Sequence, residues 1–249
     1  MIEKLKRSFF KNKSNYETKN YSKYKAEINF WKKEIENYVE WYKGKLETHY
    51  MMSPPREDRK VIAASVEHSA ILTWLKLHQE PKYLEDLMLD KTVFSGLRVL
   101  DVGSGPLPSA LVFEGCKVYC LDPLLPEYIE AGYPLHYYER VKFVYGFSEN
   151  IPVEDDFFDV VLSVNAIDHV DDIYKTALEM KRVLKSGGKV RIHTHYHKKT
   201  ETEPLELSDE VMTKAFSWCE GFKKVKQSTQ KRGSVAPVGE VYTLWTNFK

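Results

Sequence analysis

Leu97-Arg98-Val99-Leu100-Asp101-Val102-Gly103-Ser104-Gly105 is a short apolar run that stops on two glycines flanking a serine. Aliphatic residues over its first six positions favour an extended segment, and glycine permits the sharp turn that ends it. Small residues at such a turn let a ligand approach the backbone. A helix expected from Pro108 to Phe113 would present free N–H donors beside it. On either side the pattern repeats. Lys117-Val118-Tyr119-Cys120-Leu121 reads as a second strand closed by Asp122, Val141–Tyr145 as a third, and Asp159–Val164 as a nearly all-apolar fourth, as a strand covered on both faces requires. A helix over 171–184, capped by Gly187-Gly188, leads into a fifth strand, Lys189–His195. A helix near 208–218 and β segments near 222–227 and 240–248 complete the chain. Strands alternating with helices of this length specify a doubly wound, mostly parallel α/β sheet with right-handed crossovers.

Upstream the period changes. Ile28, Trp31, Ile35, Tyr38, Val39, Tyr42 and Leu46 recur every three or four residues, so 26–47 reads as an amphipathic helix. Its aromatic stripe is expected to pack on the body of the domain, with a lid over substrate or a homodimer contact as lesser uses. Ser53-Pro54-Pro55 breaks that helix, and Arg56 to His78 reads as one or two more. The chain therefore divides into a basic, flexible tail (1–25), a helical extension that caps the acceptor side (26–95) and a main domain (96–249). The tail holds 8 basic and 2 acidic side chains, and the rest of the chain carries a net −5. A solvated N-terminus explains this, or else an arm attracting an anionic partner.

Composition narrows the class. Hydrophobic residues make up 43% and aromatics 13% of 249 residues, enough for a real core. A formal charge of +1, with 8 Arg against 29 Lys, gives no electrostatic case for a nucleic-acid binder. Cys116, Cys120 and Cys219 form no CxxC pair, which points to a reduced compartment. No apolar run has the length of a signal peptide or membrane span. A soluble, cytoplasmic protein without membrane insertion is the expectation.

In such a sheet, ligands bind beyond the carboxyl ends of the strands. Asp122 follows Asp101 by 21 residues, the usual separation for a carboxylate that grips ribose hydroxyls. A nicotinamide fingerprint would need glycine at 108, where the chain has Pro108. Asp101, two residues before Gly103, would repel a pyrophosphate but suit a cationic amine or sulfonium. Four of the eight histidines fall between 169 and 197. His169, beside Asp168 after the fourth strand, is of the right chemical type to draw a proton from an alcohol, although it could equally be a shape element of its turn. His193, His195 and His197 alternate and share a face if extended. They invite a metal reading, but one strand rarely places three imidazoles around one tetrahedral ion, so no metal is assigned.

Several motifs carry a family resemblance. Val99–Gly105 resembles motif I of the class I S-adenosylmethionine-dependent methyltransferases, and Leu121-Asp122-Pro123 resembles their acidic post-strand position. Tyr145–Pro152 with Asp155–Val161 is similar to their "G-x-(A/S)-E-x-(L/I)-P…FD-x-V" segment. Ala166–Val170 falls at their "(H/D)-H-(V/I)" turn, and Glu179–Gly188 is close to "E-x-x-R-V-L-K-P-G-G". These matches cover residues 97–195. The chain departs from the pattern in having Pro106-Leu107 where a third small residue is common, so a slightly different turn is expected. The resemblance implies a seven-stranded, mostly parallel doubly wound sheet with an N-terminal helical extension, and S-adenosyl-L-methionine as cofactor with S-adenosyl-L-homocysteine as product. It implies that Asp101 and the backbone at Gly103, Ser104 and Gly105 hold the methionine end, and that Asp122, next to Pro123, takes the ribose. Ser148 and Glu149 would bracket the adenine, and Asn165 would lie beside the sulfonium. Asp122 could instead merely start a turn, and Glu149 could be a solvated carboxylate.

For catalysis, Asp168 and His169 are the candidates, with His193, His195 and Tyr196 lining the acceptor pocket. Glu57, Asp58 and Glu67 are further candidates for contact with a polar acceptor. The amino-group signature Asn/Asp-Pro-Pro-aromatic is absent, the chain reading Asn165-Ala166-Ile167-Asp168. The run from His193 to Glu203-Pro204 is similar to methyltransferases found with bacterial surface-polysaccharide genes. An oxygen of a small polar acceptor (a sugar, a phosphorylated metabolite or an amino-acid derivative) is the expected methyl recipient. Nitrogen methylation, or cofactor binding without catalysis and with a partner docked on the N-terminal helix, are the alternatives.

Overall fold

The computed structural model describes residues 21–46, 62–231 and 234–248. Most of the basic tail, Ser53-Pro54-Pro55, Glu57 and Asp58 lie outside them. The amphipathic helix spans Tyr21–Tyr42 (α1), so it takes in residues 21–25 of the expected tail and stops short of Leu46. After it, Val66–Trp74 (α2), capped by Ser65, runs through a π turn into Glu80–Leu87 (α3). The strands follow: β1 Arg98–Val102, β2 Lys117–Asp122, β3 Val141–Tyr145, β4 Phe158–Val164, β5 Leu184–Tyr196, β6 Lys223–Ser228 and β7 Val241–Thr246. Between them lie α4 Leu125–Glu130, α5 Ile173–Val183 and α6 Asp209–Ala215. A ribbon of 230–231 with 234–235 sits beside the sheet.

The seven strands order as β3-β2-β1-β4-β5-β7-β6. The first five are parallel, and β7 runs antiparallel between β5 and β6. Strand order reverses between β1 and β4, which places a ligand crevice beyond their carboxyl ends. Alternate residues feed two cores. Val99, Val118, Val160 and Leu162 face α1–α3, while Leu100, Tyr119, Val161 and Ile192 face α5 and α6. The aromatic stripe of α1 packs inward as expected, with Tyr38 stacked on Trp74 at 4.6 Å and Trp41 edge-on to it at 5.3 Å.

Two local expectations are corrected. No α-helix follows the glycine turn; residues Ser109–Val112 make a single 3-10 turn. Pro106 and Pro108 remove two N–H donors and fix two φ angles within three residues, and Gly115 ends the segment. Gly187-Gly188 does not cap α5 either. That helix ends at Val183, and the glycines form an irregularity inside β5, where pairing jumps from Phe158↔Leu184 to Val160↔Lys189.

Candidate active site

A cavity of about 730 Å³ opens at the β1/β4 crevice. Its floor is the glycine turn. Gly103 has φ +71, and a Cβ there would lie 2.3 Å from the Ala166 Cβ, so only glycine lets the turn nest against the loop after β4. Asp122 clips the turn in place. Its Oδ2 accepts from Gly105 N at 2.9 Å and its Oδ1 from Leu124 N at 2.9 Å. Trp31 of α1 closes over the other side, 3.5 Å from where a Gly105 Cβ would be.

Asp101 sits below, 2% exposed, with the Tyr83 hydroxyl of α3 donating a short hydrogen bond to its Oδ1. Burial pushes the Asp101 carboxyl up to about 7, against that hydrogen bond and with help from Asp122. Burial also pushes Asp122 up to about 6, against its two backbone hydrogen bonds. Neither carboxylate has an ion-pair partner among the described residues. Two buried acids that face a cavity and have no ion-pair partner of their own favour a cationic ligand beside them.

Ser148 and Glu149 also line the cavity. Glu149 is not a free carboxylate: its Oε1 accepts from Asp171 N at 2.7 Å and Asp172 N at 3.2 Å, tying the β3 loop to the start of α5. The Ser148 hydroxyl lies 3.1 Å from Glu149 and 3.2 Å from Thr176 Oγ1. Arg182 holds this loop through the Ile151 and Val153 carbonyls, and Glu179 accepts from Ile151 N. The Glu-x-x-Arg spacing on α5 therefore shapes the cavity wall without reaching it.

Asn165 lies at the cavity wall with φ +49, a left-handed conformation asparagine tolerates better than most residues. His193 Nδ1 donates to its Oδ1 at 3.1 Å. Burial pulls His193 down to about 4, so the ring is neutral at neutral pH. His193 itself faces a second, smaller cavity of about 280 Å³ with Asp86, Lys226, Lys231 and Tyr242. Lys231 reaches both cavities; burial lowers its ammonium to about 8.

His169 lines the large cavity between α1 and the loop after β5, its Nδ1 4.0 Å from Glu27 and its Nε2 3.8 Å from Glu203. Lys23 donates to the His169 carbonyl and pairs with Asp171 at 3.0 Å, pinning α1 across this corner. The other sequence candidates are placed differently. Asp168 is buried behind His169, and its Oδ2 accepts from His197 Nε2 at 3.3 Å. That hydrogen bond raises His197 to about 9 and holds Asp168 low although burial acts the other way. His195 stacks on Tyr242 at 4.6 Å, with Nε2 3.0 Å from Glu240 but not aligned for a hydrogen bond. The Tyr196 hydroxyl meets Asp209 and Trp245. Neither His195 nor Tyr196 lines either cavity, and Glu67 is an exposed residue at the start of α2. Sequence reasoning missed Tyr83, Lys23, Glu27, Trp31 and Lys231, which come from elements far from the motifs in sequence.

Residues 100–192 match a family model described as a methyltransferase domain. Over 103 residues the chain is 33% identical to the uncharacterized methyltransferase YcgJ of Bacillus subtilis, an overlap of 40% of this chain and 41% of that protein. Over 142 residues it is 30% identical to the uncharacterized methyltransferase Rv0224c of Mycobacterium tuberculosis, covering 57% and 51%. The chain thus spans between about two fifths and one half of the length of these curated relatives. The crystal structure of YcgJ superposes with a TM-score of 0.52 at 17% identity, covering 69% of this chain and 98% of that one. The [4+2]-cyclase SpnF superposes at 0.51 and 16% identity, covering 76% and 83%. At these identities the likeness is one of fold.

Proposed function

We propose that residues 100–192, which match a methyltransferase-domain model, form a class I S-adenosylmethionine-dependent methyltransferase domain, and that the chain transfers a methyl group to an oxygen of a small polar acceptor. The observation that carries the reading is the glycine turn clipped to Asp122 above a buried Asp101 that has no ion-pair partner among the described residues. The cradle fits the cofactor: backbone at 103–105 lies open to the cavity, and two acids await a positive charge. Bound there, S-adenosylmethionine supplies a methyl group on a sulfonium. Asp101 and the turn hold the amino-acid end, Asp122 takes the ribose through its remaining lone pairs, and Ser148 with Glu149 borders the adenine. Asn165, fixed by His193, faces the reacting centre.

Methyl transfer is an in-line displacement, so catalysis is chiefly alignment. His169 is the base for a hydroxyl acceptor, its ring oriented between Glu27 and Glu203. Those two carboxylates also support a second reading, a cationic amine acceptor methylated on nitrogen. Lys231, which also lines the cavity, favours an acceptor that carries phosphate or carboxylate, such as a sugar derivative.

Calorimetry with S-adenosylmethionine, followed by assay of S-adenosylhomocysteine release across sugars, phosphorylated metabolites and amines, tests the proposal. Asp122→Ala is expected to weaken binding by about 1–3 kcal/mol, the scale of hydrogen bonds to a charged group. His169→Ala is expected to lower turnover and leave cofactor affinity intact. Cofactor binding with no release across the whole panel retires catalysis, and turnover confined to amines selects nitrogen.

A further inference from the structure

We propose that Asp168, His197 and Glu203 form a binding site for one divalent transition-metal ion in the wall of the large cavity. One donor atom from each residue lies within 4.8 Å of the other two. The Asp168 Oδ2 to His197 Nε2 separation of 3.3 Å is already the spacing of two ligands on one ion. His197 Nδ1 donates to the Lys198 carbonyl at 2.6 Å, which is how ligating imidazoles are fixed in orientation, and an ion would take Nε2 in place of the proton that Nε2 shares with Asp168.

A second, independent observation points to a ligand. Asp168 is 1% exposed, and its Oδ1 has no hydrogen-bond partner among the described residues. A buried carboxylate oxygen without a donor is costly, and a cation relieves it. The donor set of one imidazole and two carboxylates suits manganese, iron, cobalt or zinc better than calcium, and its two negative charges balance a divalent ion. His193 and His195 take no part, the first held by Asn165 and the second stacked on Tyr242.

Glu203 joins the cluster to the large cavity, where it faces His169 at 3.8 Å. An ion held by these three residues would lie beside the space that His169 lines. An ion there would draw electron density from an acceptor hydroxyl and ease loss of its proton to His169. This role rests on the proposed methyl transfer; the binding site itself does not.

The test uses the full chain, stripped with EDTA and titrated with Co2+ alone by calorimetry and visible absorption. One Co2+ per chain is expected, with a d–d band. Affinity should fall by at least about tenfold in Glu203→Gln and His197→Gln. Glu206→Gln, a neighbouring carboxylate that pairs with Lys198 instead, is expected to bind as wild type does. Glu203 lies in a loop and is partly exposed, so its variant keeps the fold even if the His197 variant does not. No stoichiometric Co2+, or equal affinity in wild type and Glu203→Gln, overturns the site and leaves an Asp–His ion pair only. S-Adenosylhomocysteine affinity is measured on the same samples: absent metal with intact cofactor binding removes the metal site and spares the methyltransferase reading.

Discussion

Asp101 and Asp122 end neighbouring strands and face one cavity, and their titration couples the fold to the ligand. Both carboxyls titrate in the folded chain above the ordinary carboxylate range, at about 7 and about 6. The folded state therefore holds these protons more tightly than the unfolded state. The stability the two groups contribute is full at low pH and is lost as pH rises through 6 and 7. A cationic cofactor reverses the preference, because it needs both acids ionised. Affinity for S-adenosylmethionine is thus expected to rise as pH climbs through 6 and 7, measured by calorimetry, and Asp101→Asn is expected to flatten the upper part of that rise. The glycines offer a steric comparison. Gly103 and Gly96 share positive φ, yet a Cβ at 96 meets nothing within 4 Å, whereas one at 103 collides with Ala166. Gly103→Ala should cost about 1–3 kcal/mol more than Gly96→Ala in denaturant unfolding, the scale of overpacking.

Helix α1 is where an element far from the motifs completes the cavity. Trp31 packs edge-on against Tyr128 and Tyr133, and its carbonyl accepts from the Tyr133 hydroxyl at 2.8 Å. Because the indole lies over the glycine turn, S-adenosylhomocysteine should change tryptophan emission in the wild type, and Trp31→Phe should abolish most of that change. The periodicity of α1, the five parallel strands and the acid at each of the first two strand ends were legible in the sequence because they are local patterns. The missing helix after the turn was not legible, because Pro108 is as compatible with the first turn of a helix as with a break, and only packing decides between them. Tyr83 on Asp101, or Glu203 meeting His197 and His169, arises only when separate elements pack, and no local period encodes such contacts. Likewise His193, His195 and His197 share a face as the alternation suggests, but their partners scatter them among three tasks.

The sheet has two cores, and α1–α3 cover much of one of them, together with α4 and the segment that follows it. Tyr38, Trp41, Ile71, Trp74 and Leu87 are buried there against Val99, Val118 and Val160. The described part of this extension, 26–46 and 62–95, is therefore structural as well as cavity-forming. A chain beginning at residue 96 is expected to lose cooperative thermal unfolding and to bind an apolar dye, since it exposes much of one face of the sheet. None of the helices among the described residues is long and apolar enough to cross a membrane. His193 has a further consequence for the assembled molecule. Its ring forms part of the small chamber while its Nδ1 steadies Asn165 in the large one. A compound wedged into the small chamber thus has leverage on the methyl-transfer geometry without touching the nucleoside, so an inhibitor found there should leave cofactor affinity unchanged and depress only the maximal rate.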